Sequence, residues 1–529
     1  MAGGFEGANR MDRALTTWIP NMGSADAQLL DVKDELDAKA NDLTHNDSYT
    51  AGAADKWRDS IVGSHYKLNS KPDYGYLSLT AEWAQEFADE VESKFNLWGD
   101  SGNHWVDASG MNTFTGLVRL AIGGQAFSHG EVLATAEWIR DGRQINTAIQ
   151  MIDPTRLSNP NGRPDSLTLR GGRKRNKWGR ATSYFIRQGH PHDLYSDYRQ
   201  MTWKEVAARK PWGRQQVIHL LEQQRVDQSR GFAALVTALK TIRTRRKLSD
   251  VELQNVSLNA MYAAALETDL PPEVAAAVLG GDTDSNGDSA AYGQLVNQLA
   301  NYFGDKSVML DGVKVPVLPP GTKLKMQRAA AQANSQFSFE NSLLRSEARA
   351  AGLSFEEYTG DYTQTNMASA RAASGETWKT MLGRKAMLAD PFANSIFALW
   401  LEESISKGLI ESLPKNFNVA AFYQGHNKEA LCKCRWLGAA KPVVNPKDEA
   451  LAERMLQEDG AMTYEERYAK KGQDWREGMD QLKREQDYAN SIGLALPGPD
   501  DKSSQANKSR GQEDDDENNN ASAGEPADE

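Results

Sequence analysis

Cysteine and long apolar runs are scarce in this sequence of 529 residues. It contains only two cysteines, too few for a disulfide framework, so we expect a reducing compartment or indifference to redox conditions. No stretch approaches eighteen consecutive apolar residues, which excludes a transmembrane helix. The first residues, MAGGFE, have neither the basic nor the apolar region of a signal peptide, so secretion by that route is not expected.

Motifs for nucleotide or hydrolytic chemistry are also missing. The chain has no G-x-x-x-x-G-K-[ST] loop to hold phosphates and no G-x-S-x-G nucleophile elbow. The segment from Asp282 to Asp288 matches the opening of a calcium loop, but Gly293 stands where a bidentate glutamate must close the coordination sphere. We therefore predict a polar surface loop at this segment and no catalytic residues in the chain.

Potential metal ligands occur only in small groups. Cys432 and Cys434 have a single histidine nearby, His426, whereas a structural zinc ion needs four ligands. His190 and His192 lack a third ligand at a useful spacing. We predict neither a metal ion nor a cofactor, and we expect the two cysteines to be half-buried and inert.

Acidic charge is concentrated at the carboxyl end. The formal net charge is −11, and residues 500–529 alone hold ten acids and three bases, so the body of the chain is nearly neutral. Such a composition cannot bury enough apolar surface to fold, which predicts a disordered tail over residues 496–529. The tail is either a solvated segment that aids solubility, or an acidic mimic of nucleic acid or a docking peptide.

Basic charge forms two clusters. One interpretation of both clusters is a solvated surface. The other is contact with nucleic acid or protein, because several lysines and arginines together bind phosphates strongly. The first cluster surrounds Trp178 and consists of Arg170, Arg173, Lys174, Arg175, Lys177 and Arg180. The second lies on a long predicted helix and consists of Lys240, Arg243, Arg245, Arg246 and Lys247.

Hydrophobic periodicity predicts a mixed, mainly helical fold. Apolar residues are 40% of the chain, enough for folded cores, and Thr80 is placed to cap a helix whose Trp83, Phe87 and Val91 share one face. Pro391 predicts a kink or boundary in a long helix. The predicted helices are 31–40, 48–62, 111–122, 231–258, 337–351, 368–410, 450–457 and 464–492, and the predicted strands are 130–139, 145–152, 183–186 and 217–220.

Several segments in a fixed order carry a family resemblance. They are NDSYTAGAADKWRDSIVGSHYKL at 46–68, DPTRLSNP at 153–160, residues 231–267 with NAMYAA at 259–264, GLSFEEY at 352–358 and the stretch 369–378. Together they resemble the lambda-type family of tailed-bacteriophage portal proteins, the head–tail connectors. The resemblance extends from about residue 15 to about residue 495, although none of these segments is a catalytic motif.

The resemblance implies an α+β fold, mainly α, of the ring-forming portal type. Its parts are a wing, a two-helix stem, a β-containing clip, a tunnel loop and a helical crown. Mapped onto this sequence, they are a flexible N-terminus 1–23, wing 24–228, first stem helix 229–258, clip 259–332, second stem helix 333–354, tunnel loop 355–370, kinked helix and wing return 371–444, crown 445–495 and disordered acidic tail 496–529.

The same resemblance implies a function as a conduit. Portal subunits form a ring, usually of twelve, at one capsid vertex, and double-stranded DNA passes through it during packaging and ejection without sequence recognition. The expected partners are other copies of the chain, the terminase large subunit, the major capsid and scaffold proteins, and head–tail adaptor proteins. The expected location is the virion, after synthesis in the host cytoplasm. The alternatives are a DNA-packaging enzyme or a soluble nucleic-acid-binding adaptor.

Two sets of candidate site residues follow. The tunnel loop bears no positive charge and is expected to contact phosphates weakly, although an ordinary helix–helix loop is the alternative. The basic residues of the first stem helix are expected to line the channel or to form ion pairs between subunits. The candidate residues of the tunnel loop are Tyr358, Thr359, Tyr362, Thr363, Gln364, Thr365, Asn366 and Met367. Those of the first stem helix are Lys240, Arg243, Arg245, Arg246 and Lys247.

Overall fold

Helices dominate the computed structural model of this chain. The model describes residues 13, 15–190, 193, 201–262, 308–310, 313–315, 332–415, 417–443 and 445–494. The α-helices are α1 Ala25–Leu29, α2 Lys33–Asn46, α3 Ser48–Ile61, α4 Tyr74–Leu77, α5 Ala81–Gly99, α6 Phe114–Arg119, α7 Phe127–His129, α8 Leu239–Tyr262, α9 Gln332–Ala351, α10 Phe355–Thr359, α11 Met367–Arg384, α12 Asp390–Ser406, α13 Val419–Phe422, α14 Asn427–Leu431, α15 Pro446–Glu458, α16 Tyr464–Lys470 and α17 Trp475–Ser491.

The strands are short and pair antiparallel within small sheets. They are β1 Lys67–Ser70, β2 Glu131–Trp138, β3 Thr147–Met151, β4 Leu169–Arg170, β5 Arg173–Arg175, β6 Ala181–Arg187, β7 Trp203–Ala207, β8 Val217–Leu221, β9 Val308–Leu310, β10 Val313–Val315 and β11 Cys434–Leu437. The sheet orders are β3-β2-β8, β4-β5-β6-β7, β1-β11 and β9-β10. This mixture of helices and small sheets confirms the predicted α+β fold class.

The chain divides into two units. The larger unit contains Met1–Thr237 and Ala348–Glu529, and the smaller unit contains Ala238–Glu347, which interrupts the larger one in sequence. The larger unit includes the pair β1-β11, in which Lys67 lies opposite Leu437 and Ser70 opposite Cys434. Two segments far apart in sequence therefore meet in one sheet.

The core of the larger unit is built around α12. Its sequence is apolar on all sides, which is typical of a central helix, and Phe397 and Trp400 are buried. The ring of Phe95 contacts Phe397 at 5.6 Å and Trp400 at 5.4 Å between centroids, both nearly edge-on. Edge-to-face aromatic pairs add to the stabilisation that comes from burial alone.

Two buried carboxylates on α12 tie this helix to the sheet β3-β2-β8. Glu403 accepts hydrogen bonds from the backbone N–H groups of Asn146 and Thr147 at 2.7 and 2.8 Å. Glu402 accepts one from the Arg214 guanidinium at 2.6 Å. These hydrogen bonds and the ion pair with Arg214 offset the desolvation cost of burying two charged residues on the central helix.

Several sequence predictions of helices and strands are confirmed. The helix predicted from Ser48 ends at Ile61, and Gly63 follows it with a φ of +77°. The Thr80 hydroxyl caps α5 by accepting from the N–H of Trp83 at 3.2 Å. The predicted strands at 130–139, 145–152, 183–186 and 217–220 correspond to β2, β3, β6 and β8.

Other boundaries differ from the sequence predictions. The helix predicted from Gly231 begins only with a 3-10 turn at Val236–Ala238, and the helix predicted over 464–492 is broken at Gly472, whose φ is +71°. The kink expected at Pro391 is a π-helical segment at Lys385–Ala389, directly before α12. Proline lacks an N–H group and clashes with the preceding turn, which accounts for the wider winding there.

The helix predicted at 111–122 is shifted and irregular. It starts at Phe114 as α6, winds as a π-helix over Leu120–Ala126 and ends as α7. The π segment brings Gly123 so close to Arg58 that an added Cβ would lie 2.1 Å from its Nε. The polar surface loop predicted at residues 282–288, most of the clip and the acidic tail lie outside the described residues.

Candidate functional site

A seven-residue loop, residues 360–366, joins α10 to α11. The Ser354 hydroxyl caps α10 by accepting from the Glu357 N–H at 3.2 Å. Asn366 caps α11 by accepting from the Ser369 N–H at 2.8 Å. Each cap satisfies a backbone donor that a helix start leaves free. The loop begins at Gly360, which ends α10 with a φ of +72° and donates its N–H to the Glu356 carbonyl at 2.8 Å. It ends at the Asn366 cap, within the predicted tunnel loop of 355–370.

The loop presents polar side chains and one acid to the surface. Asp361 accepts from the N–H and hydroxyl of Thr363 at 3.0 and 2.7 Å, and these bonds lower the pKa of its carboxyl. The Tyr362 side chain is 53% exposed. Thr363, Gln364 and Asn366 are also exposed. Asp361 is the only charged residue of the loop, so its surface is neutral to weakly acidic.

Two predicted loop residues belong to the helix before the loop. Tyr358 is only 4% exposed, and its ring stacks on that of Tyr49 at 5.9 Å. The Thr359 hydroxyl donates to the Phe355 carbonyl at 2.8 Å and accepts from the Asp361 N–H. We therefore correct the placement of Tyr358, because a ring packed inside its own subunit is not presented to a passing ligand. At the other end, Met367 begins α11 and is exposed.

The helices on either side of the loop are held to the end of α9. The Ala351 carbonyl accepts from the Trp57 indole N–H at 3.0 Å and from the Arg384 guanidinium at 2.9 Å. The same guanidinium lies 4.0 Å from the centre of the Trp57 ring. Thr377 of α11 accepts from the backbone N–H of Ser354 at 3.1 Å. These contacts fix the start of α10 and both ends of the interaction between α11 and α9 within the larger unit.

The basic residues of α8 do not share one environment. Arg245 is buried and donates to both carboxylate oxygens of Glu347 at 3.0 Å, within the smaller unit. Lys240, Arg243 and Lys247 are exposed, and Arg246 is partly exposed. The sequence brings all five together on one helix, and the structure separates a buried ion pair from the exposed cations.

The first basic cluster is divided in the same way. Arg170 and Arg175 approach Asp26 at 3.2 and 3.9 Å, and Lys174 pairs with Glu205 at 3.2 Å. Two carboxylates, Asp26 and Glu205, therefore balance part of the charge of these three cations within the chain. The turn that follows them, residues 176–180, leaves Trp178 with 64% of its surface exposed.

A buried charged cluster lies where the chain leaves the sheet β3-β2-β8. Glu131 accepts hydrogen bonds from Arg230 at 2.7–3.1 Å, and His219 and Lys33 lie within 3.1 and 3.3 Å of its oxygens. Burial favours the neutral acid, but Arg230 and Lys33 hold the pKa of Glu131 well below its ordinary value. Burial raises the pKa of Asp37, which pairs with Lys33, to about 6.

Sequence reasoning missed this cluster. The sequence predictions place Arg230 at the start of the first stem helix, 229–258, and Glu131 at the start of a mainly apolar strand, 130–139. A glutamate inside an apolar strand is the one local signal that a buried cationic partner exists, because an unpaired buried charge is costly. The partner, 99 positions away, has no such signature.

Potential metal ligands do not cluster in the described part of the chain. Within the described residues, no three His, Cys, Asp or Glu side chains lie close enough to share a metal ion. Both cysteines are free, and burial raises the pKa of the Cys434 thiol to about 12 and that of Cys432 further. No helix in the described ranges has both the length and the apolar character needed to cross a membrane.

Comparison with known proteins gives consistent matches. A family model described as phage portal protein, lambda family, matches residues 11–385. The portal protein of Escherichia phage N15 is 32% identical over 496 residues, which cover 94% of this chain and 91% of the relative. Portal protein B of Escherichia phage lambda is 31% identical over 497 residues, with the same two coverages.

Solved structures give weaker matches. One chain from the virion of a native gene transfer agent particle is 11% identical, with a TM-score of 0.39, covering 84% of this chain and 93% of that one. A chain from the neck of an empty gene transfer agent particle is also 11% identical, with a TM-score of 0.37, covering 87% and 97%.

Proposed function

Because this chain belongs to the lambda family of phage portal proteins, we propose that it forms a closed ring, of twelve subunits, around a channel for double-stranded DNA. The observation that carries this proposal is the family match over residues 11–385, together with two portal relatives that align along nearly the whole chain. A ring of identical copies needs two different, complementary faces on each subunit. Large exposed apolar side chains on the carboxyl-terminal helices, among them Leu451, Met455 and Leu482, are suited to such contacts.

The smaller unit corresponds to the stem and clip in this proposal. It spans Ala238–Glu347, close to the range 229–354 that the resemblance assigns to the two stem helices and the clip between them. Its helices α8 and α9 contribute Arg245 and Glu347, whose buried ion pair joins the two stem helices within one subunit. The wing, 24–228 and 371–444, and the crown, 445–495, then belong to the larger unit.

The loop of residues 360–366 is our candidate for the channel lining. A strongly basic loop, repeated around a ring, would hold the DNA phosphates and oppose passage. Neutral hydroxyl and amide groups contact phosphates weakly and without a sequence code. The exposed Tyr362, Thr363, Gln364 and Asn366, with Thr365 and Met367 at the edge, have this character, and Tyr358 and Thr359 support the loop from α10.

The exposed cations of α8 have two possible roles. Lys240, Arg243, Arg246 and Lys247 either face the channel or pair with acids of a neighbouring subunit. Arg245 is excluded from both roles in our proposal, because its charge is already matched by Glu347.

The proposed partners follow from the family. We infer contacts with the terminase large subunit during packaging, with major capsid and scaffold proteins during assembly, and with head–tail adaptors afterwards, and we place the ring in the virion after synthesis in the host cytoplasm. The conduit breaks no bonds itself, so the energy for packaging comes from its partner. The competing hypotheses are a DNA-packaging enzyme and a soluble nucleic-acid-binding adaptor.

Electron microscopy of negatively stained protein, combined with native mass measurement, tests the proposal. We expect annular particles with a central hole and a mass near twelve times 58.4 kDa. Small monomers that hydrolyse ATP would support the enzyme instead. Monomers that retain DNA in a salt-dependent way would support the adaptor. Either result would overturn the ring.

A further inference from the structure

An acidic groove of about 600 Å³ lies on the larger unit. It is lined by strand β1, helix α5 with the residues that follow it, and the start of helix α17. Its charged lining is dominated by carboxylates: Asp89, Glu92, Asp100, Asp474 and Glu477, with Lys67 as the single lining cation. This composition makes the groove a surface for a positively charged group.

The cations near the groove do not neutralise it. Lys67 lies 2.9 Å from Glu477, and Arg476 lies 3.7 Å from Asp89, so three of the five lining carboxylates have no ion-pair partner within the described residues. Burial, with Asp474 and Asp89 close by, raises the pKa of Glu92 to about 7. Mutual repulsion among these acids is relieved when a cation enters from outside.

A buried amide lies directly behind the groove carboxylate of Asp474. Asn69 is 6% exposed, and its side-chain amide donates to the groove carboxylate of Asp474. The carbonyl oxygen of the same amide is buried and accepts no hydrogen bond. The Asn69 amide therefore holds the carboxylate of Asp474 in position in the groove.

The spacing of the carboxylates favours an extended occupant over a metal ion. No three acids among the described residues are close enough to bind one ion together. The groove is also far larger than a coordination sphere. Long basic side chains from another polypeptide fit both observations, because each can reach a separate carboxylate.

The same chain carries a matching basic projection. The turn of residues 176–180 connects β5 to β6, and Asn176 fixes it by accepting from the N–H groups of Trp178 and Arg180 at 3.0 Å each. The Lys177 ammonium lies 3.9 Å from the centre of the exposed Trp178 ring. Lys177 and Arg180 are both exposed, and neither pairs with a carboxylate in the described part of the chain. We call residues 176–180 the basic tip.

We propose that the basic tip of one subunit lies in the acidic groove of the next subunit around the ring. This inference rests on the proposed ring, whose head-to-tail contacts require one face to differ from the other. Lys177 and Arg180 supply the cations that the groove lacks, and Trp178 supplies the aromatic contact that often anchors an interface. The sheet that carries the tip, β4-β5-β6-β7, is not among the elements that line the groove, so the second copy is the source of the occupant.

Charge reversal tests the contact. The tip variant Lys177→Glu with Arg180→Glu, and the groove variant Glu92→Lys with Asp100→Lys, which changes two carboxylates without an ion-pair partner in the described residues, are each expected to raise the protein concentration for half-assembly by about tenfold or more. Combining all four substitutions in one chain is expected to restore most of the assembly. The control is Lys204→Glu with Lys210→Glu, two exposed cations outside the tip that should leave assembly unchanged. Native mass measurement at fixed salt gives the readout.

Cross-linking gives a second measurement that does not depend on the stability of charge variants. Rings are assembled from a mixture of Lys177→Cys chains and Ser93→Cys chains and treated with a bifunctional maleimide. We expect a cross-linked dimer of the two chains, because Ser93 lines the groove. Lys204→Cys chains in place of Lys177→Cys are expected to give none. Rings of chains without an introduced cysteine give the background from the two half-buried native thiols in the same experiment.

The outcomes separate this contact from the ring itself. Rings that form equally well from every charge variant, or rings that give no cross-link, would overturn the contact and leave the proposed function intact. Tip variants that assemble normally but lose DNA binding would show that the tip contacts a polyanion instead. A wild-type chain that never forms rings would overturn both proposals.

Discussion

Arg230 donates three hydrogen bonds to the carboxylate of Glu131, at distances of 2.7–3.1 Å, and both side chains are almost completely buried. The other guanidinium N–H groups of Arg230 donate to the carbonyls of Pro154, Leu157 and Gly171. One side chain therefore joins a sheet strand to the loop that follows β3 and to the turn before β5. It does so immediately before the chain runs on into the smaller unit.

Removing this arginine is expected to destabilise the larger unit severely. Arg230→Ala leaves Glu131 charged and buried with a weaker set of partners, which typically costs about 3–5 kcal/mol in the free energy of unfolding. Urea unfolding at neutral pH, followed by tryptophan fluorescence, gives the measurement. The control is Arg349→Ala, which breaks an exposed pair with Glu376 and should cost less than about 1 kcal/mol. Equal effects of the two substitutions would contradict the special role of Arg230.

Gly130 is expected to tolerate no side chain. Its φ is +73°, and an added Cβ would lie 1.9 Å from the carbonyl oxygen of Phe232, so the backbone itself must move. We expect Gly130→Ala to lower the free energy of unfolding by about 3 kcal/mol or more, combining backbone strain with a clash. Gly142→Ala is the matched control, with a φ of +89° but open space around it, and should cost only about 1 kcal/mol. Thermal unfolding of the two variants compares them directly.

Glu92 is expected to make the larger unit less stable at alkaline pH. Its pKa is raised from 4.5 to about 7 in the folded protein, so its contribution to stability is fully present below pH 4.5 and is lost as the pH rises through 7. Glu92→Gln keeps an acceptor for the Ser70 N–H and removes the titration. The variant should therefore gain about 1–3 kcal/mol relative to wild type between pH 5 and pH 8.

The difference in unfolding free energy between wild type and Glu92→Gln, measured at several pH values, checks this prediction. Glu86→Gln, an exposed acid on the same helix, serves as the control and should give a difference that changes little with pH. A difference for Glu92→Gln that stayed constant from pH 5 to pH 8 would contradict the raised pKa. These measurements are made on monomeric protein, so that assembly does not alter the groove.

The loop of residues 360–366 is expected to matter for DNA and not for folding. Replacing residues 361–365 with glycine and serine at the same length keeps the caps at Ser354 and Asn366 and leaves Tyr358 in place. We expect normal rings but fewer DNA-filled particles in a complementation assay, counted on a density gradient. Tyr358→Ala is the contrasting variant, since loss of its buried ring should lower stability without changing the loop surface. Normal filling with the replaced loop would refute its assignment to the channel.

Local sequence signals predicted much of the fold. The helix α3 follows from the spacing of Ala54, Trp57 and Ile61, and α5 from its Thr80 cap, because both depend on residues close together in the chain. The irregular segment Leu120–Ala126 was not predictable from such spacing. Its π winding depends on how closely Gly123 approaches Arg58, which is a contact between separate helices.

The candidate site was predicted only in part. The resemblance located the loop, and composition indicated its lack of positive charge, but neither could show that Tyr358 turns inward to stack on Tyr49 across some 300 positions of sequence. In the sequence, nothing distinguishes Arg245 from its basic neighbours on α8. In the structure it differs from them because it is buried and paired with Glu347. In both cases the missing information is a long-range partner, which single-sequence patterns do not contain.

The pairing of β1 with β11 has a consequence for biosynthesis. Strand Lys67–Ser70 leaves the ribosome long before Cys434–Leu437 has been translated, and at about 5–20 residues per second the delay is on the order of tens of seconds. During that interval the nascent amino-terminal strand has an open edge that can pair with another chain. Mispairing at this open edge would therefore reduce the share of newly made protein that reaches the assembly pathway, and shielding of the edge until β11 is made would increase that share.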